Sequence, residues 1–104
     1  MLTSKQRAYL KSIAVKEEAI FQIGKSELTP EISSAISEAL AKRELIKVSI
    51  LKNCAGDPKE IAEALAGRTR SEVVQVIGKK IILYKPAADP KDRKIEFPKS
   101  LNKQ

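Results

Sequence analysis

The stretch Phe21-Gln22-Ile23-Gly24-Lys25-Ser26-Glu27-Leu28-Thr29-Pro30 carries the residue types best suited to holding a ligand. An apolar run ends at Gly24, and a helix signal begins at Thr29-Pro30. Helix N-termini expose unpaired N–H groups and carry partial positive charge. A glycine just ahead of one lets a phosphate-bearing backbone come close. Lys25 adds a full positive charge and Ser26 a hydrogen-bond donor. Gly24, Lys25, Ser26, Glu27 and Thr29 are therefore the first candidate binding residues, and the chemistry they offer is contact with a sugar-phosphate chain. An ordinary strand-to-helix turn has the same outline, and the loop taken alone fits that reading as well.

Charge elsewhere points the same way. Twenty Lys and Arg stand against thirteen Asp and Glu, for a formal charge of +7. Such an excess attracts polyanions and gains from counterion release. Lys5, Arg7, Lys47, Lys79 and Lys80 are the candidates for a surrounding basic surface, although scattered lysines also suit a plain solvated face. Arg68 and Arg70 follow a helix and could either touch a nucleic acid or complement the helix C-terminus. The stretch from Gly67 to Gly78 has no phosphate-loop pattern.

Catalysis finds little footing. The chain contains no histidine and one cysteine, Cys54. The commonest general base and metal ligand is thus missing, a structural zinc site lacks its thiolates, and no internal disulfide can form. No catalytic, metal or cofactor residues are assigned, and a non-enzyme is expected. No apolar run approaches the ~20 residues that span a bilayer. The first residues lack a secretory signal, so a cytoplasmic protein with no membrane partner and no small-molecule substrate is the expectation.

The elements that must position these residues follow from pattern. Thr3 and Gln6 have capping-box spacing ahead of a helix with Leu10, Ile13 and Ala14 on its apolar stripe. Residues 19–23 read as a strand. Thr29 is an N-cap and Pro30 suits the first helical position. Ile32, Ala35, Ile36, Ala39 and Leu40 then recur at amphipathic helix spacing. Residues 45–50 form a second strand with Ile46, Val48 and Ile50 on one face and Lys47 on the other. Asp57 caps a third helix, whose stripe is Ile61, Ala62, Leu65 and Ala66 and whose natural stop is Gly67. Residues 73–77 and 80–85 are strands joined by Gly78-Lys79, a Gly-first two-residue turn.

The order is αβαβαββ, an α+β fold with helices packed on a four-stranded mixed sheet. The two βαβ steps favour parallel neighbours. Residues 1–97 are expected to form one domain and 98–104 a polar basic tail. From residue 87 onward only Ile95-Glu96-Phe97 can pack, so this part reads as loose, with at most one short edge strand. The core must be mostly aliphatic, because aromatics make up 4% of the chain. Tyr9 and Tyr84 are the candidates for base stacking, and both also suit a core.

Leu2-Thr3-Ser4-Lys5-Gln6-Arg7, Phe21-Gln22-Ile23-Gly24-Lys25, Leu28-Thr29, Glu44-Leu45-Ile46-Lys47-Val48 and Gln75-Val76-Ile77-Gly78-Lys79 with Leu83-Tyr84 resemble the CRM domain (chloroplast RNA splicing and ribosome maturation), of the stand-alone YhbY type. The resemblance runs from Leu2 to Pro86. It implies a fold similar to the C-terminal domain of translation initiation factor three. It also implies that Gly24 to Glu27 corresponds to a Gly-x-x-Gly loop like that of KH domains, which clamps nucleotide backbone. Glu27 departs from that pattern, since the family has a second glycine there. Glutamate enters positive-φ space less cheaply, at a cost of roughly 1 kcal/mol, and its charge opposes a nearby phosphate.

The leading expectation is an RNA-binding protein acting in assembly of the large ribosomal subunit. Its partner would be ribosomal RNA or a precursor particle, bound by a monomer. The alternative is a protein-interaction module that docks on a ribosomal protein or an assembly factor. DNA binding has only charge in its favour.

Overall fold

Each helix opens on a cap of its own. The Thr3 hydroxyl accepts the Gln6 backbone N–H at 3.1 Å, and the Gln6 side chain accepts the Thr3 N–H at 3.0 Å. This reciprocal pair starts helix α1 (Ser4–Ala14). Thr29 accepts the Ile32 N–H and Pro30 takes the first position of helix α2 (Pro30–Arg43). Asp57 and Pro58 repeat the arrangement at helix α3 (Pro58–Thr69). The strands are β1 (Ala19–Ile23), β2 (Leu45–Ile50), β3 (Glu72–Ile77) and β4 (Lys80–Tyr84). The protein is represented by a computed structural model, which describes residues 2–24, 28–95 and 97–98. No helix among these is long and apolar enough to cross a membrane.

The four strands form one mixed sheet in the order β1-β2-β4-β3. β1 and β2 are parallel neighbours, as a βαβ step favours. The second step, whose strand order the sequence leaves open, makes no such neighbours. β3 does not lie beside β2, because β4 folds back through a two-residue hairpin and takes the place between them. Gly78, at φ +54, supplies the conformation that this turn needs.

The two faces of the sheet carry separate cores. α2 and α3 pack on one face, where Ile23, Ile36, Leu40, Val48, Leu65, Ile81 and Leu83 are buried. α1 packs on the other, over Leu45, Val74, Ile82 and Tyr84. Alternation along β2 explains the split: Ile46, Val48 and Ile50 face α2 and α3, while Leu45, Lys47 and Ser49 face the α1 side. A bulge at Val74 in β3 breaks the alternation once. It sends both Val74 and Gln75 to the α1 side.

Two expectations are corrected here. Gly67 does not stop α3, which continues to Thr69. One local and one tertiary bond hold the last turn beyond the glycine: the Thr69 hydroxyl donates to the Leu65 carbonyl within the helix, and the Lys85 ammonium donates to the Thr69 carbonyl from outside it. Arg70, left-handed at φ 56, is the cap instead. The described residues from 87 to 97 are also not loose. Buried Glu44, just past α2, accepts backbone N–H groups from Ala87, Lys94 and Ile95. Ile95 and Phe97 then pack against the α1-side core. None of the described residues in 87–98 joins the sheet, and a 3-10 turn spans Pro90–Asp92. Glu96 lies outside the described residues.

Candidate nucleic-acid interface

Strand direction gathers three connections at one end of the sheet. β1 and β2 both finish there, and β4 begins there. The Leu51 N–H donates to the Ile23 carbonyl at 2.8 Å, and the Ile50 N–H donates to the Lys79 carbonyl at 2.7 Å. Gly24, the start of the β2–α3 loop and the Gly78-Lys79 turn are therefore neighbours. α2 and α3 lead away from the same end, so their N-terminal N–H groups and dipoles add positive potential to it.

Gly24 is small for a reason internal to the protein. A Cβ there would stand 3.3 Å from Asn53 Oδ1 and 3.5 Å from Leu51 Cδ1. The β2–α3 loop, which carries exposed Lys52 and Asn53, thus leans against the start of the candidate loop. The hydroxyl of Thr29 is committed to capping α2, so its role is to fix the helix start. Lys25, Ser26 and Glu27 lie outside the described residues.

Three of the basic candidates meet on the α1 side of the sheet. Lys47 from β2, Lys79 from the turn and Lys80 from β4 line one groove, together with Lys11 from α1. The groove is open because α1 and the C-terminal segment cover only the half of this face that carries Leu45 and Tyr84. Its apolar wall includes Val15 and Ile77, which are 78% and 55% exposed. Its polar side chains are Ser49 and Gln75, the latter placed there by the Val74 bulge. Among the described residues no carboxylate lines it. Four ammonium groups with no lining acid make a site for an anion of extended shape.

Lys5 and Arg7 lie elsewhere. Both are on the first turns of α1, and Lys5 is about 15 Å along the helix axis from Val15. Arg7 sits in a separate recess with Leu2, Glu63 and Glu72. Its Nε is buried without a hydrogen-bond partner among the described residues.

Of the two tyrosines, Tyr84 is buried and Tyr9 is half-buried. Both rings pack on Phe97, at centroid distances of 5.9 and 5.6 Å. Tyr84 is therefore committed to the core and not to base stacking. Burial, reinforced by the Glu44 carboxylate, raises the Tyr84 pKa. Burial also pushes the Glu44 carboxyl upward, but the N–H groups of Ala87, Ile95 and Lys94, with the Arg93 guanidinium, outweigh it. The net effect holds Glu44 below its ordinary value.

Sequence reasoning missed Lys11, Ser49, Gln75 and Lys52 as members of this surface, and Glu44 as its support. Glu44 did leave a signal. A carboxylate directly after Lys42-Arg43 at a helix C-terminus opposes the helix dipole, so another interaction must hold it there.

The chain matches the CRS1 / YhbY (CRM) domain over residues 2–85. It is 47% identical over 98 residues to a Bacillus subtilis protein named "Probable RNA-binding protein YqeI", covering 94% of this chain and 100% of that one. It is 31% identical to a Haemophilus influenzae protein named "RNA-binding protein", covering 94% and 96% respectively. A solution structure of a Staphylococcus aureus protein superposes with a TM-score of 0.75 at 45% identity, covering 92% of this chain and 100% of that one.

Proposed function

The chain belongs to the CRS1 / YhbY (CRM) domain family, and on that premise we propose that it is a non-catalytic protein that binds structured ribosomal RNA during assembly of the large ribosomal subunit. The observation that carries the reading is the lysine groove. Lys11, Lys47 and the adjacent pair Lys79 and Lys80 come from three separate places in the chain and converge on one uncovered half of the sheet. The groove adjoins the sheet end at which Gly24 and the helix N-termini lie. Relatives named as RNA-binding proteins support RNA as the polyanion.

Most contacts in this reading are to phosphates. They fix position, and the shape of the RNA selects the partner. The basic residues Lys25, Lys47, Lys79 and Lys80 hold the backbone. Lys5, exposed on the first turn of α1, extends the footprint along the helix, with Arg7 behind it in its own recess. Gly24, Ser26, Glu27 and Thr29 belong to the stretch between β1 and α2 that the RNA strand passes, with the Glu27 charge weakening contact where a second glycine would strengthen it. The protein acts as a monomer in the cytoplasm.

Crosslinking in cells, followed by sequencing of the attached RNA, tests the assignment. Enrichment of large-subunit ribosomal RNA and its unprocessed ends is expected. Reads spread over messenger RNA would overturn the ribosomal assignment. An association with ribosomal particles that survives complete RNA digestion would instead identify a protein-docking module.

A further inference from the structure

We infer that the groove between α1 and the open half of the sheet accepts one unpaired nucleotide of the bound RNA, its base against Val15 and Ile77 and its phosphates on Lys47 and Lys79. The inference rests on the RNA-binding reading and adds to it a reason for preferring unpaired over paired strands.

Charge alone would require only the lysines. The groove has more than that. Val15 and Ile77 are the two most exposed large aliphatic side chains among the described residues, and both line this one groove. Exposing them to water is unfavourable, and burial under a flat apolar surface recovers that free energy. A nucleobase has such a surface on each face. In a duplex both faces are stacked on neighbours, and the A-form major groove is too narrow for side chains to read. Only a base that has left the helix can lie on this wall. The surrounding ammonium groups then meet the phosphates on either side of that base.

The polar residues complete the fit. The bulge at Val74 turns Gln75 toward the groove when regular alternation would have pointed it away. Its amide offers both donors and acceptors, as does the Ser49 hydroxyl. These are the groups needed to meet the edge of a base. An anionic lipid surface would use the lysines and aliphatics but would give Gln75 and Ser49 no partner of matching geometry. The observations favour the nucleotide.

The test compares two RNA probes at one low salt concentration: a hairpin with an unpaired loop, and a fully paired duplex of the same nucleotide count. The wild-type protein is set against the double variant Val15→Ser, Ile77→Ser. Both positions are exposed, and neither change alters charge. The variant is expected to lose about tenfold in affinity for the hairpin and to bind the duplex as wild type does. Equal affinity of wild type and variant for the hairpin would overturn the inference, as would equal losses on both probes. If wild type binds neither probe, the RNA-binding reading itself fails, and that outcome is distinct from the other two. Gln75→Ala provides a second readout: it should lower hairpin binding with no change in the salt dependence of log Kd, because it removes no phosphate contact.

Discussion

The Glu44 carboxylate accepts the backbone N–H of Ile95 at 2.8 Å, across fifty-one positions of the chain. The same carboxylate holds Ala87 and Lys94, and the Glu44 carbonyl accepts the Lys85 N–H. One buried acid thus fastens the segment after β4 to the end of α2. Phe97 is thereby held against Tyr9 and Tyr84, and the segment closes the lower half of the sheet face. The upper half remains open as the lysine groove.

Replacing that acid should loosen the segment before it unfolds the domain. Glu44→Ala leaves three backbone N–H groups short of a charged acceptor, and destabilisation of about 2–4 kcal/mol is expected from denaturant unfolding. Hydrogen exchange at the Lys94 and Ile95 amides should accelerate far more than exchange in β2 or β4. Uniform acceleration throughout the protein would show that the clasp is not a local device.

Acid should act through the same residue. The Glu44 pKa is lowered in the folded protein, so the folded state binds its proton less readily than the unfolded chain does. The stabilisation is complete above the unfolded value, near 4.5. It is lost as pH falls through the lower folded value. Stability measured against pH should therefore decline below about 4.5, and Glu44→Gln should flatten that decline while lowering the plateau at neutral pH. An unchanged acid limb in the variant would assign the effect to other carboxylates.

The end of α3 offers a test of the corrected helix boundary. Gly67 lies inside the helix, and a Cβ there would meet nothing within 4 Å. Gly67→Ala should stabilise the protein by about 0.5–1 kcal/mol. Arg70 is left-handed at φ 56, and Arg70→Gly should gain a similar amount, about 1 kcal/mol. Thermal melts read both. A loss of stability in Gly67→Ala would mean that the helix ends at the glycine after all.

Local signals were readable wherever the partners lie within one turn or one hairpin. The Thr3–Gln6 capping box, the Thr29-Pro30 start and the Gly78 turn each depend on residues two to four positions apart, and each is present. The periodicity of α2 pointed to Ile36 and Leu40, which are fully buried. Strand order was not readable, because the place of β4 depends on pairing with β2 more than thirty residues away. The groove was legible only in part for the same reason. Lys47, Lys79 and Lys80 stood out by charge, but Lys11 looked like any lysine on a solvated helix. Nothing in the local pattern announced that a bulge at Val74 would turn Gln75 to the same face. The family resemblance, carried by many short pieces in order, reached further than pattern did, and the family match covers residues 2–85.

The most direct test of the account is the salt dependence of RNA binding when the convergent lysines are neutralised. Binding of a large-subunit ribosomal RNA fragment would be titrated across salt concentrations for wild type and for the triple variant Lys47→Gln, Lys79→Gln, Lys80→Gln. The slope of log Kd against log salt should fall by about two to three in magnitude, with the melting temperature little changed because Lys79 and Lys80 are exposed and Lys47 is only half-buried. Identical affinity and slope for the two proteins would contradict the account, for RNA would then be bound somewhere other than this face.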